Sequence, residues 1–211
     1  MVRNAPPDAN KMGELKSIIG SHARHLCIDM QVLFSRQGPW PAPWMERVLP
    51  VVLRLVERAP AQTIFTRFLT PPHPEAMPGM WRAYYRKWAD VTRDKIDPAI
   101  LGLMPELRGF TPPAAVFDKM VYSAFADGRL HAHLQEHSVD TLIVSGSETD
   151  VCVLASALAA VDHGYRLILA RDAVCSSSDE AHDASLSLYR QRFDLQIELA
   201  ESREILEAWH R

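Results

Sequence analysis

The sequence predicts an α/β fold built on a parallel sheet, and two observations lead to this prediction. Short apolar runs typical of strands alternate along the chain with segments whose apolar residues recur at helical spacing. Alternating strands and helices form a parallel sheet that is covered by helices on both faces. The length of 211 residues suits one domain with a substantial core.

Six strands and four helices are predicted from these patterns. The strands cover residues 25–30, 62–68, 114–119, 141–146 and 166–170, with a short edge strand at 195–199. The helices cover residues 43–58, 178–192 and 202–209, and a further helix follows Cys152 and ends at Gly164. In such sheets, ligands bind beyond the carboxyl ends of the strands.

A strand, a polar turn and a helix surround Cys152. The strand contains the apolar run 142–144 and ends near Gly146. Thr149 and Asp150 are natural caps for the following helix, which places Cys152 in or beside the first turn. The helix dipole favours an anion there, so we expect a lowered thiol pKa and a reactive thiolate. From this segment alone, a small buried core cysteine is the alternative.

Composition and charge argue against several classes of protein. The net charge of −3 and the lack of a basic run with interleaved aromatic residues predict no nucleic-acid partner. No apolar run approaches the length of a membrane span, so we expect no membrane partner. The three cysteines form no CxxC motif, which fits a reducing cytoplasm without disulfides or a zinc knuckle. The sequence therefore predicts a cytoplasmic protein.

The chain is expected to form one domain with a leader and one insertion. Residues 1–20 are predicted to be a flexible leader, without the apolar segment of a secretory signal, and 21–211 the domain. Residues 70–113 interrupt the alternation and are rich in proline and aromatic residues. Long connections inside a compact domain are usually functional, so this segment is predicted to be a lid that shapes a pocket.

Three chemically complementary residues lie at or just past predicted strand ends. Asp29 follows the first strand, Lys119 ends the third, and Cys152 follows the fourth. Taken singly, Asp29 fits a loop-capping carboxylate and Lys119 a surface lysine. Together they form an acid that accepts the thiol proton, a cation that stabilises the thiolate, and a sulfur that attacks. This combination favours acyl transfer by cysteine.

In this order along the chain, the residues resemble the isochorismatase-like cysteine hydrolase superfamily, which includes nicotinamidases and N-carbamoylsarcosine amidases. The resemblance runs from His25 to the last helix, and its motifs lie at residues 26–31, 117–125, 146–153 and 171–182. It implies a three-layer α/β/α fold with a six-stranded parallel sheet. It also implies a catalytic triad of Asp29, Lys119 and Cys152, and a homodimer or homotetramer.

The resemblance further implies a non-proline cis peptide in the turn before the nucleophile, between Ser147 and Glu148. In this family that turn aims the backbone amides of Glu148 and Cys152 at one point. These two amides are therefore the expected oxyanion hole.

One family feature, the metal site of nicotinamidases, is not expected here. Those members bind a metal through an Asp and a His just past the second strand, followed by another His. Phe68 and Thr70 replace the first two ligands in this chain, and His73 alone makes no site. We therefore expect no metal and no other cofactor.

The presence of Cys152 favours hydrolysis of a C–N bond over vinyl-ether cleavage, since true isochorismatases resemble this fold but lack the cysteine. The expected substrate is a small amide, carbamoyl or ureido compound, cleaved through a thioester on Cys152. Two alternatives stay open: a vinyl-ether hydrolase, and a non-hydrolytic member that serves as a scaffold or thiol redox sensor.

Several aromatic residues are candidates to line the pocket. Phe68 and Trp81 are the main candidates, and Tyr85 and Phe125 join them as predicted substrate-binding residues; Tyr84 and Trp88 share a helical face in the insertion. Packing of the lid or a subunit interface is the alternative for most of these rings. Arg67 is predicted either to bind a substrate carboxylate or, as the favoured alternative, to pair with an acid of the fold.

Three further residues are predicted to be structural. Cys27 is expected in the core, and Cys175 lies among serines with no base nearby in sequence. His182 is expected to hydrogen-bond to the main chain rather than to act as a base.

Overall fold

A six-stranded parallel sheet with flanking helices forms the centre of the computed structural model, which describes residues 15–210. The strands are β1 Ala23–Ile28, β2 Thr63–Phe68, β3 Ala115–Lys119, β4 Thr141–Ser147, β5 Arg166–Cys175 and β6 Ile197–Ala200. All neighbouring pairs are parallel, and the order is β3-β2-β1-β4-β5-β6. The predicted α/β fold with a six-stranded parallel sheet is confirmed.

Seven helices connect and cover these strands in the described part of the chain. They are α1 Met45–Arg58, α2 Gly79–Lys87, α3 Pro105–Arg108, α4 Arg129–Glu136, α5 Leu154–Asp162, α6 Asp179–Arg192 and α7 Ser202–Ala208. The sequence patterns did not predict α3 and α4 as helices, and they indicated α2 only through the helical face shared by Tyr84 and Trp88. In α4 only Leu130 and Leu134 are buried, which leaves too short an apolar pattern to detect.

The strand order reverses between β1 and β4. Right-handed crossovers on either side of this point send helices to opposite faces of the sheet, and α1 packs against α7. A crevice forms beyond the carboxyl ends of the strands at such a switch point. The functional site is therefore expected next to the ends of β1 and β4.

Gly146 allows β4 to lie against the end of β1 at this point. It pairs with Ile28 and has a φ of +114°, and a Cβ added to it would meet the Ile28 carbonyl oxygen at 2.0 Å. Only glycine fits such a close backbone approach. Asp29 follows immediately, with a φ of +50° in the left-handed region. The two positions together turn Asp29 out of the strand.

The end of the predicted leader, around Ile19, belongs to the folded domain. Ile19 is fully buried, and it forms a bridge with Trp209 through hydrogen bonds from Ile19 N to Ala208 O and from His210 N to Ile19 O. An apolar residue that is hydrogen-bonded to the last helix belongs to the core, so the flexible leader cannot reach residue 20. Residues 1–14, the rest of that prediction, lie outside the described residues.

The 70–113 segment is anchored to the loop after β1. The side chain of Gln31 donates to the carbonyl oxygens of Leu101 and Phe68, at 2.7 and 3.1 Å. Val32 N donates to Gly102 O, and Met104 N donates to Met30 O. Its role as a lid stays a prediction, but these bonds fix its position beside the strand ends. Among residues 15–210, no helix is long and apolar enough to cross a membrane.

Candidate active site

Asp29, Lys119 and Cys152 come together at the carboxyl edge of the sheet. Asp29 follows β1, Lys119 is the last residue of β3, and Cys152 lies in a π-helical turn, Thr149–Val153, between β4 and α5. The Cys152 thiol lies near enough to the Asp29 and Lys119 side chains for both groups to shift its pKa. Three residues separated by up to 123 positions therefore form one cluster.

The carboxylate of Asp29 is fully buried and is held by two side chains. Lys119 Nζ donates to Asp29 Oδ2 at 2.6 Å, and Thr66 Oγ1 donates to Asp29 Oδ1 at 2.6 Å. The Asp29 backbone N–H also donates to Thr66. A buried charge needs such partners, because it would otherwise be expensive to remove from water. Thr66 is a member of this cluster that the sequence patterns did not reveal.

Lys119 is a buried cation rather than a surface lysine. Burial lowers its pKa, but Asp29 and the nearby Cys152 outweigh burial, and the net pKa is raised. Its Nζ also donates to the carbonyl oxygen of Val121 at 3.2 Å and lies 4.9 Å from the centre of the Phe68 ring. The ammonium group therefore stays charged while it contacts Asp29 and lies near the thiol.

The expected lowering of the thiol pKa is wrong. Burial raises the pKa of Cys152, Asp29 raises it further, and Lys119 opposes both effects. The prediction followed from the helix terminus alone and took no account of burial and a neighbouring carboxylate. The resting site therefore keeps the proton on sulfur, next to an acid that can accept it.

The predicted caps of the nucleophile helix are also wrong. Thr149 Oγ1 is hydrogen-bonded to His182 Nδ1 at 2.8 Å, and Asp150 accepts a hydrogen bond from Ser176 Oγ. Both side chains thus tie the turn to the α6 region instead of capping their own helix. The bond from His182 goes to a side chain, which corrects the expected bond to the main chain.

The peptide between Ser147 and Glu148 is cis, as the family resemblance implied. After it, Val151 N and Val153 N both donate to the Glu148 carbonyl oxygen, at 3.1 and 3.0 Å. The turn that carries Cys152 is therefore built around the Glu148 backbone.

A cavity of about 380 Å³ opens onto Cys152. Its aromatic lining residues are Phe34, Trp40, Phe68, Tyr84, Trp88 and Tyr122. The remaining lining residues are Pro39, Pro41, Glu148, Val151, Cys152 and Ser177. Its volume suits a small organic molecule.

Only some of the predicted pocket residues line this cavity. Phe68 does, and so do the two further candidates Tyr84 and Trp88. Trp81 instead faces a separate depression and contacts Tyr122 with ring centres 4.7 Å apart. Trp81, Tyr84 and Trp88 thus form the aromatic side of the insertion near the cavity.

The other predicted substrate-binding residues serve packing or ion pairs. Tyr85 and Phe125 are buried in the core and do not line the cavity. Arg67 forms a bidentate pair with Asp118, at 2.7 and 2.8 Å, as its favoured alternative predicted. The cavity therefore gives no support for substrate contacts by these three residues.

The loop after β1 supplies cavity residues that sequence reasoning missed. Trp40 packs against Phe34, Phe68, Tyr84 and Trp88, with ring centres 5.8 to 6.3 Å apart. The run Pro39-Trp-Pro41 was an available signal, since prolines fix a loop and a tryptophan there supplies a large rigid surface.

The side chains at the place of the nicotinamidase metal do not fit a metal ion. Phe68 has no ligand atom, Thr70 is buried with a hydroxyl that has no partner among residues 15–210, and His73 is exposed near Glu75. The one group of three close ligand atoms found in the described residues is elsewhere, at the end of α4, where His133 is partly buried and Glu136 and the following His137 are exposed. None of that trio lines the cavity.

The remaining two cysteines are buried, and burial raises the pKa of each thiol to about 12. Cys27 lies within β1 and Cys175 ends β5. Neither lines the cavity. Their predicted structural roles agree with these positions.

The comparison with protein families assigns the chain to a class of enzymes. Residues 24–201 match the model of the isochorismatase domain, which is most of the chain. The chain therefore belongs to the isochorismatase family of hydrolases.

Individual relatives are similar over different shares of the chain. Nicotinamidase 3 of Arabidopsis thaliana is 31% identical over 76% of this chain and 77% of its own length. Maleamate amidohydrolase of Pseudomonas putida is 34% identical over 55% of this chain and 52% of its own. The chain spans about half the length of two of the curated relatives that it matches.

A solved structure confirms the fold. The crystal structure of a cysteine hydrolase from Pseudomonas syringae pv. phaseolicola has a TM-score of 0.78 and 21% sequence identity. The match covers 89% of this chain and 92% of that one.

Proposed function

We propose that this hydrolase is a cysteine amidohydrolase that cleaves the C–N bond of a small amide, carbamoyl or ureido compound through a thioester. The observation that carries the proposal is the Cys152 thiol in the cavity wall, near enough to the Asp29–Lys119 ion pair for both groups to shift its pKa. Relatives named nicotinamidase and maleamate amidohydrolase support the reaction class.

In the proposed first half-reaction, Asp29 accepts the thiol proton while the sulfur of Cys152 attacks the carbonyl carbon. The backbone N–H groups of Glu148 and Cys152 bind the resulting oxyanion. Asp29 then gives its proton to the departing nitrogen, the C–N bond breaks, and ammonia or an amine leaves. The acyl group remains on Cys152 as a thioester.

In the second half-reaction, Asp29 accepts a proton from water as the water oxygen attacks the thioester. The C–S bond breaks, and the proton returns to the sulfur. Lys119 stays protonated throughout, orients the Asp29 carboxylate and favours negative charge on the sulfur. The raised thiol pKa fits this scheme, because a proton held on sulfur at rest must be removed by a base during attack.

The alternatives are less well supported by the site. A scaffold does not need a buried acid, a buried cation and a thiol in one cluster, since burying these groups costs stability. A vinyl-ether hydrolase needs no nucleophile at Cys152. A redox sensor needs an accessible low-pKa thiol, whereas burial raises the pKa of Cys152.

The test is a screen of small amides, ureas and carbamoyl compounds for ammonia release. The wild-type protein is expected to hydrolyse at least one class, and Cys152→Ala is expected to lose about 10³-fold or more of that activity. Cys175→Ala is the matched control, because it removes a buried thiol outside the cavity. Wild-type activity in Cys152→Ala, on a substrate that the parent turns over, would end the proposal.

A further inference from the structure

The cavity combines many aromatic rings with an acidic residue. Six of the twelve lining residues are aromatic, and one, Glu148, is acidic. Among residues 15–210, no lysine, arginine or histidine lines the cavity. Aromatic rings have a negative face, which attracts cations, and together with an acid they form the usual surroundings of a bound ammonium group.

Glu148 has no cationic partner in the part of the chain that the structure describes. Among the ion pairs formed by residues 15–210, none includes this carboxylate. Burial raises the pKa of Glu148, and Asp150 and Asp29 add to this, while hydrogen bonds from Ser177 oppose it. A positive charge in the cavity would supply the missing partner.

The neighbouring charges do not cancel that of Glu148. Lys119 and Asp29 form an ion pair at 2.6 Å, so their charges offset each other. The Cys152 thiol is protonated at rest, because burial raises its pKa. The ionised form of Glu148 is therefore not offset by these neighbours, and it repels an anionic acyl group and attracts a cationic one.

The aromatic wall is continuous on the side of the cavity formed by the loop after β1. Trp40 connects Phe34, Phe68, Tyr84 and Trp88 through ring contacts. Phe68 already receives one cation, the Lys119 ammonium, 4.9 Å from its ring centre. Among residues 15–210, no lysine or arginine side chain lines the cavity next to the other rings. The Lys87 ammonium lies 5.5 Å from the centre of the Trp88 ring, but Lys87 does not line the cavity.

We infer that the acyl part of the substrate carries a positive charge, such as a protonated or quaternary ammonium group, with Glu148 and the aromatic wall as its binding site. The inference rests on the proposed function for the amide part of the substrate. The cationic group lies against the rings and Glu148, and the carboxamide points to Cys152. A cavity of about 380 Å³ accommodates an amide of this size.

The test uses two ligands of the same shape that differ in charge. Betaine amide carries a trimethylammonium group, and 3,3-dimethylbutanamide carries a neutral tert-butyl group in the same position. Binding is measured by calorimetry on Cys152→Ala, which cannot turn either amide over by the proposed route. Betaine amide is expected to bind about tenfold or more tightly than the neutral amide.

In the Cys152→Ala protein, Glu148→Gln is expected to remove most of the preference for betaine amide over the neutral amide. Unchanged helicity and an unchanged thermal midpoint show that this variant is folded. Glu106→Gln, which removes an exposed carboxylate of α3, is the matched control and is expected to keep the preference for betaine amide. Equal or tighter binding of the neutral amide, or no binding of either, would overturn the inference. A preference that survives Glu148→Gln would overturn the role of Glu148.

Failure of this inference and failure of the proposed function give different results. If wild-type protein hydrolyses neutral amides and Cys152→Ala shows no preference for betaine amide, only the inference fails. If betaine amide binds selectively and wild type hydrolyses no amide, the cavity assignment stands and the proposed function fails.

Discussion

At the residue scale, the behaviour of Cys152 depends on two neighbours of opposite charge. Lys119 lowers the pKa of the thiol and Asp29 raises it, while burial raises it more than either. These effects have different signs and are therefore separable by single substitutions. The sequence located all three residues, because each follows or ends an apolar strand. The sequence could not show whether the pKa of the thiol is raised or lowered overall, because burial depends on the tertiary packing.

Lys119→Met is expected to slow alkylation of Cys152 by iodoacetamide about tenfold or more at neutral pH. Removing the cation leaves burial and Asp29 unopposed, and the thiolate fraction falls. The measurement is the pH profile of the alkylation rate, followed by mass spectrometry of the labelled peptide. An unchanged profile would mean that Lys119 does not act on the sulfur.

Asp29→Asn is expected to shift the same profile in the opposite direction. Removing the negative charge eases ionisation of the thiol, so alkylation speeds up at a given pH. Turnover is nevertheless expected to collapse, because no base remains to move the proton. Faster alkylation with unimpaired turnover would exclude Asp29 as the base.

At the element scale, the site depends on how closely β4 approaches β1. The sequence predicted both strands from their apolar runs, and it placed Gly146 at the end of β4. It did not show that this glycine touches the Ile28 carbonyl, because the partner strand lies more than a hundred residues away along the chain. Helices with little buried surface, such as α4, were also missed, because their patterns of apolar residues are too short to be recognised without knowledge of the neighbouring elements.

Gly146→Ala is expected to destabilise the protein by about 3 kcal/mol or more. The new Cβ would meet the Ile28 carbonyl oxygen at 2.0 Å, and the φ of +114° is unfavourable for alanine. Urea unfolding measures the loss. Gly20→Ala is the control, with no atom within 4 Å of the added Cβ, and is expected to stay within about 0.5 kcal/mol of wild type. Equal stability of the two variants would contradict the close approach.

A second element-scale prediction concerns His25, which is buried in β1 and hydrogen-bonded to Ser145 Oγ at 2.7 Å. Burial lowers the pKa of His25 from 6.5 to about 3. Between these two values the unfolded chain binds a proton that the folded chain does not, so acidification favours unfolding. The contribution to the slope is at most about 1.4 kcal/mol per pH unit, and it disappears above about pH 6.5.

His25→Gln is therefore expected to flatten the fall in the free energy of unfolding between about pH 6.5 and pH 5. Urea titrations at several pH values give the slope for the variant and the wild type. His22→Gln, at an exposed position, is the control and is expected to leave the slope unchanged. Identical slopes in His25→Gln and wild type would show that His25 is not buried in its neutral form.

At the scale of the whole molecule, the sequence predicted the parallel sheet and the family motifs, but it predicted neither the strand order nor most of the cavity wall. Parallel strands place the residues after their carboxyl ends at one edge, and that rule brought Asp29, Lys119 and Cys152 together. The cavity wall depends on how the 70–113 segment and the loop with Trp40 pack, which no local pattern specifies. Tyr85 thus became a core residue, whereas Tyr84, its neighbour in sequence, lines the cavity.

The predicted homodimer or homotetramer also belongs to this scale and stays a prediction. Sedimentation equilibrium of the full chain distinguishes the two from a monomer of 23.8 kDa. A mass that remains at the monomer value over a wide range of concentrations would contradict it.

The proposed mechanism requires that an acyl group is transferred to Cys152 during amide hydrolysis. This transfer is tested by rapid quenching of wild-type protein in acid during turnover of a substrate found in the ammonia screen, followed by intact mass and peptide mapping. We expect an adduct with the mass of the acyl group on Cys152, and no such adduct in Cys152→Ala. Full turnover with no adduct, together with activity in Cys152→Ala, would contradict it.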